Sequence, residues 1–330
     1  MMRAALLEAT GQPLRLTSVP IPSPGRGEIL IRLEASGVCH SDVHVWNGEM
    51  VPATAPDPFV LGHEGVGRVA AVGDGVEDWR VGDRAGAAWL HDTCGQCNEC
   101  VSGYESFCQN QRAHGFNVPG TFAEYVVAKA AFAVRLPEGG AAELAPLMCA
   151  GLTAFGALER ARLQHSETCA IFGCGGLGLY AVQLAARRGA RVLAVDSDPL
   201  KLALAKDLGA AQVALAGQVP ADIAADVVVN FAPTARTWDA MVAVTRPLGR
   251  IIAAAMVAEP VPLSQEWLAS TGISVTGTSV GTRQQMETLM ALHAQSPLCS
   301  EIQEITLDEV NDALAALAQG RAKGRYCIKF

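Results

Sequence analysis

Three short stretches, far apart in the chain, carry residues that bind soft metals: Val38-Cys39-His40-Ser41-Asp42-Val43-His44, Gly62-His63-Glu64-Gly65-Val66-Gly67 and Leu147-Met148-Cys149-Ala150-Gly151. Two thiolates and one imidazole suit zinc, and a site with three protein ligands keeps a fourth position for water or substrate. With two thiolates and a neutral imidazole around Zn²⁺ the charges cancel, so the site as a whole carries no net charge. The ion therefore stays a good Lewis acid and lowers the pKa of a bound hydroxyl, which is what oxidation of an alcohol needs. Taken singly, Cys39 and Cys149 read better as buried core thiols, and His63 as a surface or hydrogen-bonded ring.

A second cysteine group is compact: Cys94-x2-Cys97-x2-Cys100-x7-Cys108. Four thiolates at such spacing make a closed tetrahedral site, so this zinc is expected to be structural. The bacterial iron–sulfur run ends C-x3-C-P, whereas here the last gap is seven residues and Gln109 follows Cys108. Disulfides are the third reading and fit a reducing compartment poorly. Six cysteines go to zinc on this assignment, leaving Cys169, Cys174, Cys299 and Cys327 as free thiols.

The third chemical stretch is Gly173-Cys174-Gly175-Gly176-Leu177-Gly178. It follows an apolar strand, Thr168 to Phe172, and opens a helix with Leu179, Val182, Leu184 and Ala185 on its apolar positions. A second strand, Arg191 to Val195, then ends at Asp196. A glycine-rich turn alone is weak evidence, but strand, turn, helix, strand and acid in this order form the dinucleotide fingerprint. Gly173 permits the tight turn, Gly175 lets a pyrophosphate approach the backbone, and Gly178 allows close helix–strand packing. Free N–H groups at the helix N-terminus hold the phosphates. Asp196 accepts hydrogen bonds from the ribose hydroxyls and repels a 2′-phosphate, so NAD is expected over NADP, and removal of the Asp196 charge is expected to narrow the gap.

The elements that position these groups fall into two patterns. Residues 1–148 are short β-rich segments broken by Gly and Pro, for example Glu28 to Leu33, Gly65 to Val72 and Phe122 to Val127, with Pro20, Pro22 and Pro24 forbidding a regular central strand early on. This predicts a β-barrel-like catalytic domain with a structural zinc lobe at 91–110. Residues 149–284 alternate strands and helices as an α/β doubly wound parallel sheet. The strands are Ala211 to Leu215, Asp226 to Asn230, Gly249 to Ala255 and Gly272 to Thr278, with helices at Lys201 to Leu208 and Trp238 to Val244. Residues 285–330 return to the first domain with a helix from Asp308 to Gln319.

The composition fits this reading. A chain of 330 residues predicts about two domains. A formal charge of −8, with no long Lys/Arg run, excludes a phosphate-backbone partner, so no nucleic acid is expected. The N-terminus lacks a signal peptide's apolar core, and no stretch reaches the ~20 apolar residues of a membrane span, so a cytoplasmic protein without a membrane partner is expected.

Gly62-His63-Glu64, followed by Gly67, Gly73 and Val76, resembles the zinc signature of the medium-chain alcohol dehydrogenases, and the likeness runs from end to end. It is nearest to the bacterial primary-alcohol, propanol-preferring type, through Cys39 to His44 and Trp89-Leu90-His91-Asp92-Thr93-Cys94-Gly95-Gln96-Cys97. The resemblance implies a GroES-like catalytic domain with a Rossmann cofactor domain, two zinc ions per chain, NAD(H), and an alcohol or aldehyde substrate. It implies a homo-oligomer, tetramer or dimer, joined through the cofactor domains. Cys39, His63 and Cys149 become ligands of the catalytic zinc, Glu64 an alternating ligand behind it, and Asp42 the carboxylate that orients the imidazole. Thr153, Gly176, Leu177, Lys201, Val280 and Arg325 join the cofactor contacts, and His40 touches the pyrophosphate. Ser41 and His44 become a proton relay that runs through the nicotinamide ribose hydroxyl to solvent. Ethanol-preferring members carry Trp eleven positions after the first ligand Cys, where this chain has Met50; with Trp89 walling one side, a widened pocket for medium-chain or aromatic primary alcohols is expected. The alternative is a non-enzymatic relative that senses a nucleotide or binds a partner on the same fold.

Overall fold

A computed structural model describes residues 1–50, 58–220, 222–322 and 324–330. They form two compact units, Met1–Ala150 with Thr282–Phe330, and Gly151–Gly281.

The first unit is built on β-strands. Its largest sheet runs Val134–Arg135, Arg84–Ala87, Gly65–Val72, Glu28–Gly37, Arg325–Lys329, Ile302–Ile305, and Tyr125–Lys129 also pairs with Glu28–Gly37. Glu28–Gly37 is its spine because Ile29, Ile31, Leu33 and Ala35 are all buried, the alternation of a strand with one face on a core. A small sheet of Arg15–Val19, Met2–Leu7 and Phe59–Val60 encloses a second core with Leu61, Phe122, Leu314 and Ile328. The cysteine lobe is a short excursion from the pair Leu90–Asp92 and Arg112–Ala113, with one helical turn at Asn98–Val101 and a 3-10 turn at Glu105–Phe107.

The second unit is a parallel sheet in the order Gln212–Leu215, Arg191–Asp196, Thr168–Phe172, Ala225–Asn230, Thr245–Ala253, Ser274–Gly277. Its central strands are near-continuous apolar runs, such as Val227-Val228-Val229, all fully buried, as helices on both faces require. The glycine-rich turn leaves the end of Thr168–Phe172, where neighbouring strands begin to diverge in order.

Several boundaries differ from expectation. The strand placed at Phe122 to Val127 is Tyr125–Lys129, because Phe122 turns inward as one of the largest fully buried side chains. The strand expected from Gly249 begins at Thr245, with a register shift against Ala225 and Val227 before the regular pairing resumes. The C-terminal helix opens as a 3-10 turn, Leu307–Glu309, capped by Thr306 and Glu309, before α-helix Val310–Ala318.

Candidate metal centres and dinucleotide turn

The first-unit site is assembled by two backbone devices. Cys39 lies two residues past the end of the spine strand and caps helix His40–Trp46, whose Asp42 reaches back to accept the Cys39 N–H at 2.8 Å. The other carboxylate oxygen of Asp42 accepts the Gly62 N–H at 3.1 Å and lies 3.1 Å from Nδ1 of His63. One buried carboxylate thus orders the first two ligand stretches together. Cys149 closes the set from the turn before helix Ala150–Arg160, with its Sγ 3.9 Å from that of Cys39.

One donor atom from each of Cys39, His63, Glu64 and Cys149 lies within 4.8 Å of the others, and all four residues are buried. A tetrahedral zinc with Zn–S of about 2.3 Å has S···S edges of about 3.8 Å, so the thiol pair is already spaced as ligands. Nε2 of His63 is buried with no hydrogen-bond partner, a donor left for a metal. The residues present therefore fit zinc.

The electrostatics agree with a donor set rather than a core. Cys39 ionises most easily, because Cys149 donates to it against the effect of burial, and Cys149 correspondingly holds its proton. Burial disfavours protonated His63, but the charge and hydrogen bond of Asp42 outweigh it and hold its pKa well above the usual range. Burial raises Glu64 to about 7, opposed by Arg325, whose guanidinium pairs with its carboxylate. Arg325, expected as a cofactor contact, is buried in this pair.

Beside the set, Ser41 Oγ lies 3.9 Å from Cys39 Sγ. His44 stands one turn on in the same helix, partly exposed, with Nδ1 2.5 Å from Glu49 Oε2 and its ring edge-on to His40. Trp89 packs edge-on to His63 at 4.9 Å and stacks on Phe116 at 5.8 Å. Met50 is half-buried and packs against the core that also receives Phe116. Glu49 and Phe116 escaped the sequence reading; Glu49 sits one turn after a helix that ends at Trp46, and Phe116 reaches the site only through the fold.

The second centre lies in the lobe. Cys94, Cys97, Cys100 and Cys108 bring their sulfurs together, with Cys97–Cys100 at 3.4, Cys94–Cys108 at 3.6 and Cys94–Cys100 at 4.0 Å. These bracket the same tetrahedral edge, and four thiols fill a four-coordinate site. Backbone N–H groups of Gln96 and Cys97 point at Cys94 and lower its pKa to about 6, which favours the thiolate that a metal requires. The lobe is seated by Arg283, whose guanidinium grips both oxygens of Glu105 and covers the Phe132 ring at 4.2 Å. All ten cysteines are free of disulfides.

The dinucleotide turn belongs to the second unit. Gly173 has φ +90°, and a Cβ there would stand 2.6 Å from the Ala232 nitrogen; a Cβ at Gly178 would overlap the Gly173 carbonyl. Nothing stands within 4 Å of a Cβ placed at Gly175, so the space over this glycine is open to a phosphate. Gly176 and Leu177 lead into helix Gly178–Arg187. Asp196 ends its strand as expected, and Lys201 lies in helix Pro199–Asp207. Thr153 is buried in helix Ala150–Arg160. Val280 has φ +45°, a strained left-handed conformation for a β-branched residue.

Comparison with known proteins agrees with both units. The model of the alcohol dehydrogenase GroES-like domain matches residues 25–138, and that of the zinc-binding dehydrogenases matches 176–295. An alcohol dehydrogenase of a Moraxella species is 37% identical over 337 residues, covering 100% of this chain and 99% of its own. Among solved structures, a cobalt- and zinc-bound thermostable alcohol dehydrogenase from Pyrobaculum aerophilum superposes with a TM-score of 0.92 at 29% identity, over 100% and 99% of the two chains. Acetophenone reductase from Geotrichum candidum, in complex with NAD, gives 0.90 at 30%, over 100% and 97%. With its two thiolate-rich metal centres, its glycine-rich turn and this end-to-end likeness, the chain belongs to the zinc-dependent, medium-chain alcohol dehydrogenase family.

Proposed function

We propose that the chain is an NAD-dependent zinc alcohol dehydrogenase that interconverts primary medium-chain or aromatic alcohols and their aldehydes, with the first unit as catalytic domain and the second as cofactor domain. The observation that carries this reading is the buried set of Cys39, His63, Glu64 and Cys149. A nucleotide sensor on the same fold needs the turn at Gly173 but has no use for a buried imidazole nitrogen facing two thiols.

Cys39, His63 and Cys149 are the residues that hold the catalytic zinc, which supplies Lewis acidity toward an alcohol oxygen. NAD, held by the turn, supplies the hydride acceptor. Asp42 fixes the orientation of His63 by engaging Nδ1 and leaves Nε2 for the metal. The ligands themselves are buried away from bulk water. Ser41, beside Cys39, takes the proton that the alcohol loses, and His44, partly exposed one turn further on, returns it to solvent. Trp89 forms one wall of the substrate pocket, and Met50 leaves room that a Trp would fill. Lys201 and Asp196 are assigned to the adenosine ribose, and Thr153, Val280, His40 and Arg325 to further cofactor contacts. Cys94, Cys97, Cys100 and Cys108 hold a structural zinc.

The setting is proposed to be the cytoplasm, in keeping with ten free cysteines, and the assembly a homotetramer or dimer, which light scattering would decide.

Metal analysis with NADH fluorescence tests the reading. Two zinc ions per chain are expected, with alcohol-dependent NADH that increases from ethanol toward 1-octanol or benzyl alcohol and weaker turnover of 1-phenylethanol. Zinc-loaded protein that binds NAD but forms no NADH with any alcohol would overturn it.

A further inference from the structure

The carboxylate of Asp196 is already occupied before any nucleotide arrives. Its Oδ2 accepts the N–H of Cys174 at 2.7 Å, across 22 residues, and its Oδ1 accepts the N–H of Asp198 at 2.9 Å. Cys174 is the second residue of the glycine-rich turn, and Asp198 caps helix Pro199–Asp207 through its own bond to Leu200 N–H at 2.9 Å. The turn is otherwise tied to this strand by the Gly173 N–H to the Val195 carbonyl at 2.8 Å. Neighbouring glycines give it little stiffness of its own.

We infer that Asp196 is a positioning residue for the glycine-rich turn, so that selection of the ribose and placement of the pyrophosphate cradle depend on one carboxylate. The inference rests on the reading of the turn as the dinucleotide site. An ionised carboxylate has about four lone-pair positions. Two are taken by main-chain N–H groups, and two remain for ribose hydroxyls. No neutral side chain of this size does both: Asn offers one acceptor oxygen and turns an N–H2 toward the other donor. Removing the charge therefore does not simply admit a 2′-phosphate. It also leaves the Cys174 N–H without its part-buried acceptor and loosens the turn that binds the phosphates of either cofactor. The preference for NAD narrows because NAD is lost, not because NADP is gained.

The test uses the zinc-loaded enzyme and two readouts other than turnover. Amide exchange at Cys174, followed by 15N-cysteine labelling without nucleotide, is expected to accelerate roughly tenfold in Asp196→Ala and less in Asp196→Asn, in line with loss of a part-buried acceptor. Binding of 2′,3′-dideoxy-ADP, which has no hydroxyl for Asp196 to read, is expected to weaken in the same order, and NADP binding to improve in neither variant. Unchanged exchange and unchanged dideoxy-ADP binding, with NAD weakened, would make Asp196 a ribose reader only and overturn the inference, as would tighter NADP binding by Asp196→Ala. Wild-type protein that binds neither NAD nor ADP would remove the dinucleotide reading itself; the exchange rate at Cys174 would still decide whether Asp196 holds the turn.

Discussion

Asp42 and His63 form a buried pair, 3.1 Å from Oδ1 to Nδ1, in which the same carboxylate also holds the backbone of Cys39. The partner of a metal-ligating imidazole commonly contributes 10–100-fold in metal affinity. Asp42→Asn is therefore expected to lose zinc from the buried site roughly 10–100 times faster against a chelator. Spectroscopy of the cobalt-substituted protein checks this, and zinc retention equal to wild type would count against the role.

The two metal centres are expected to separate in their effects on stability and turnover. Cys39→Ser should abolish alcohol oxidation with little change in Tm, since a well-packed core surrounds the open site. Cys97→Ser should lower Tm by several degrees, because metal binding at a closed site is folding free energy. Calorimetry beside metal analysis reads both.

His91 and His114 give a pH dependence separate from catalysis. They lie buried 3.1 Å apart, and burial together with the charge of His114 lowers His91 to about 3. The unfolded chain binds the proton first, near pH 6.5. The stability that neutral His91 contributes is therefore complete above pH 6.5 and is lost as pH falls from there toward 3, by at most about 1.4 kcal/mol per unit. Denaturant titrations of His91→Asn should show a shallower loss between pH 6.5 and 4 than wild type; parallel curves would refute the assignment.

For the relay, His44→Gln is expected to slow alcohol oxidation most at neutral and lower pH, with partial rescue by high concentrations of buffer base. The fold should be unaffected at this partly exposed position. An unchanged pH profile would remove His44 from the path.

Pocket width makes the last prediction. Met50→Trp should shift the optimum of kcat/KM toward ethanol across primary alcohols from C2 to C8, since each methylene excluded forfeits about 0.8 kcal/mol. An unchanged profile would mean that Met50 serves only the core against which it packs.

What the sequence discloses follows the range of each interaction. The lobe cysteines span fifteen positions and the turn glycines six, so local spacing carries both. The open site needed a signature, because Cys39 and Cys149 are 110 residues apart and each alone looks like core. The second task of Asp42, the stacking of Phe116 on Trp89 and the contact of His91 with His114 have no local pattern. Each follows from a turn or a strand pairing that brings distant segments together, such as Leu90–Asp92 beside Arg112–Ala113. Glu49 is hidden for a different reason: a loop carboxylate five residues from a histidine is common, and only the folded chain brings the two into contact.

The pairing of Glu64 with Arg325 spans 261 positions and so sets an order of events during synthesis. Until the final strand emerges from the ribosome, a carboxylate meant for a dry interior has no cation, and Glu105 likewise waits for Arg283, 178 positions downstream. The intervening cofactor unit can be complete while the catalytic unit is still unfinished. A nascent chain that has not yet reached Arg325 holds Glu64 without the cation it pairs with in the folded protein.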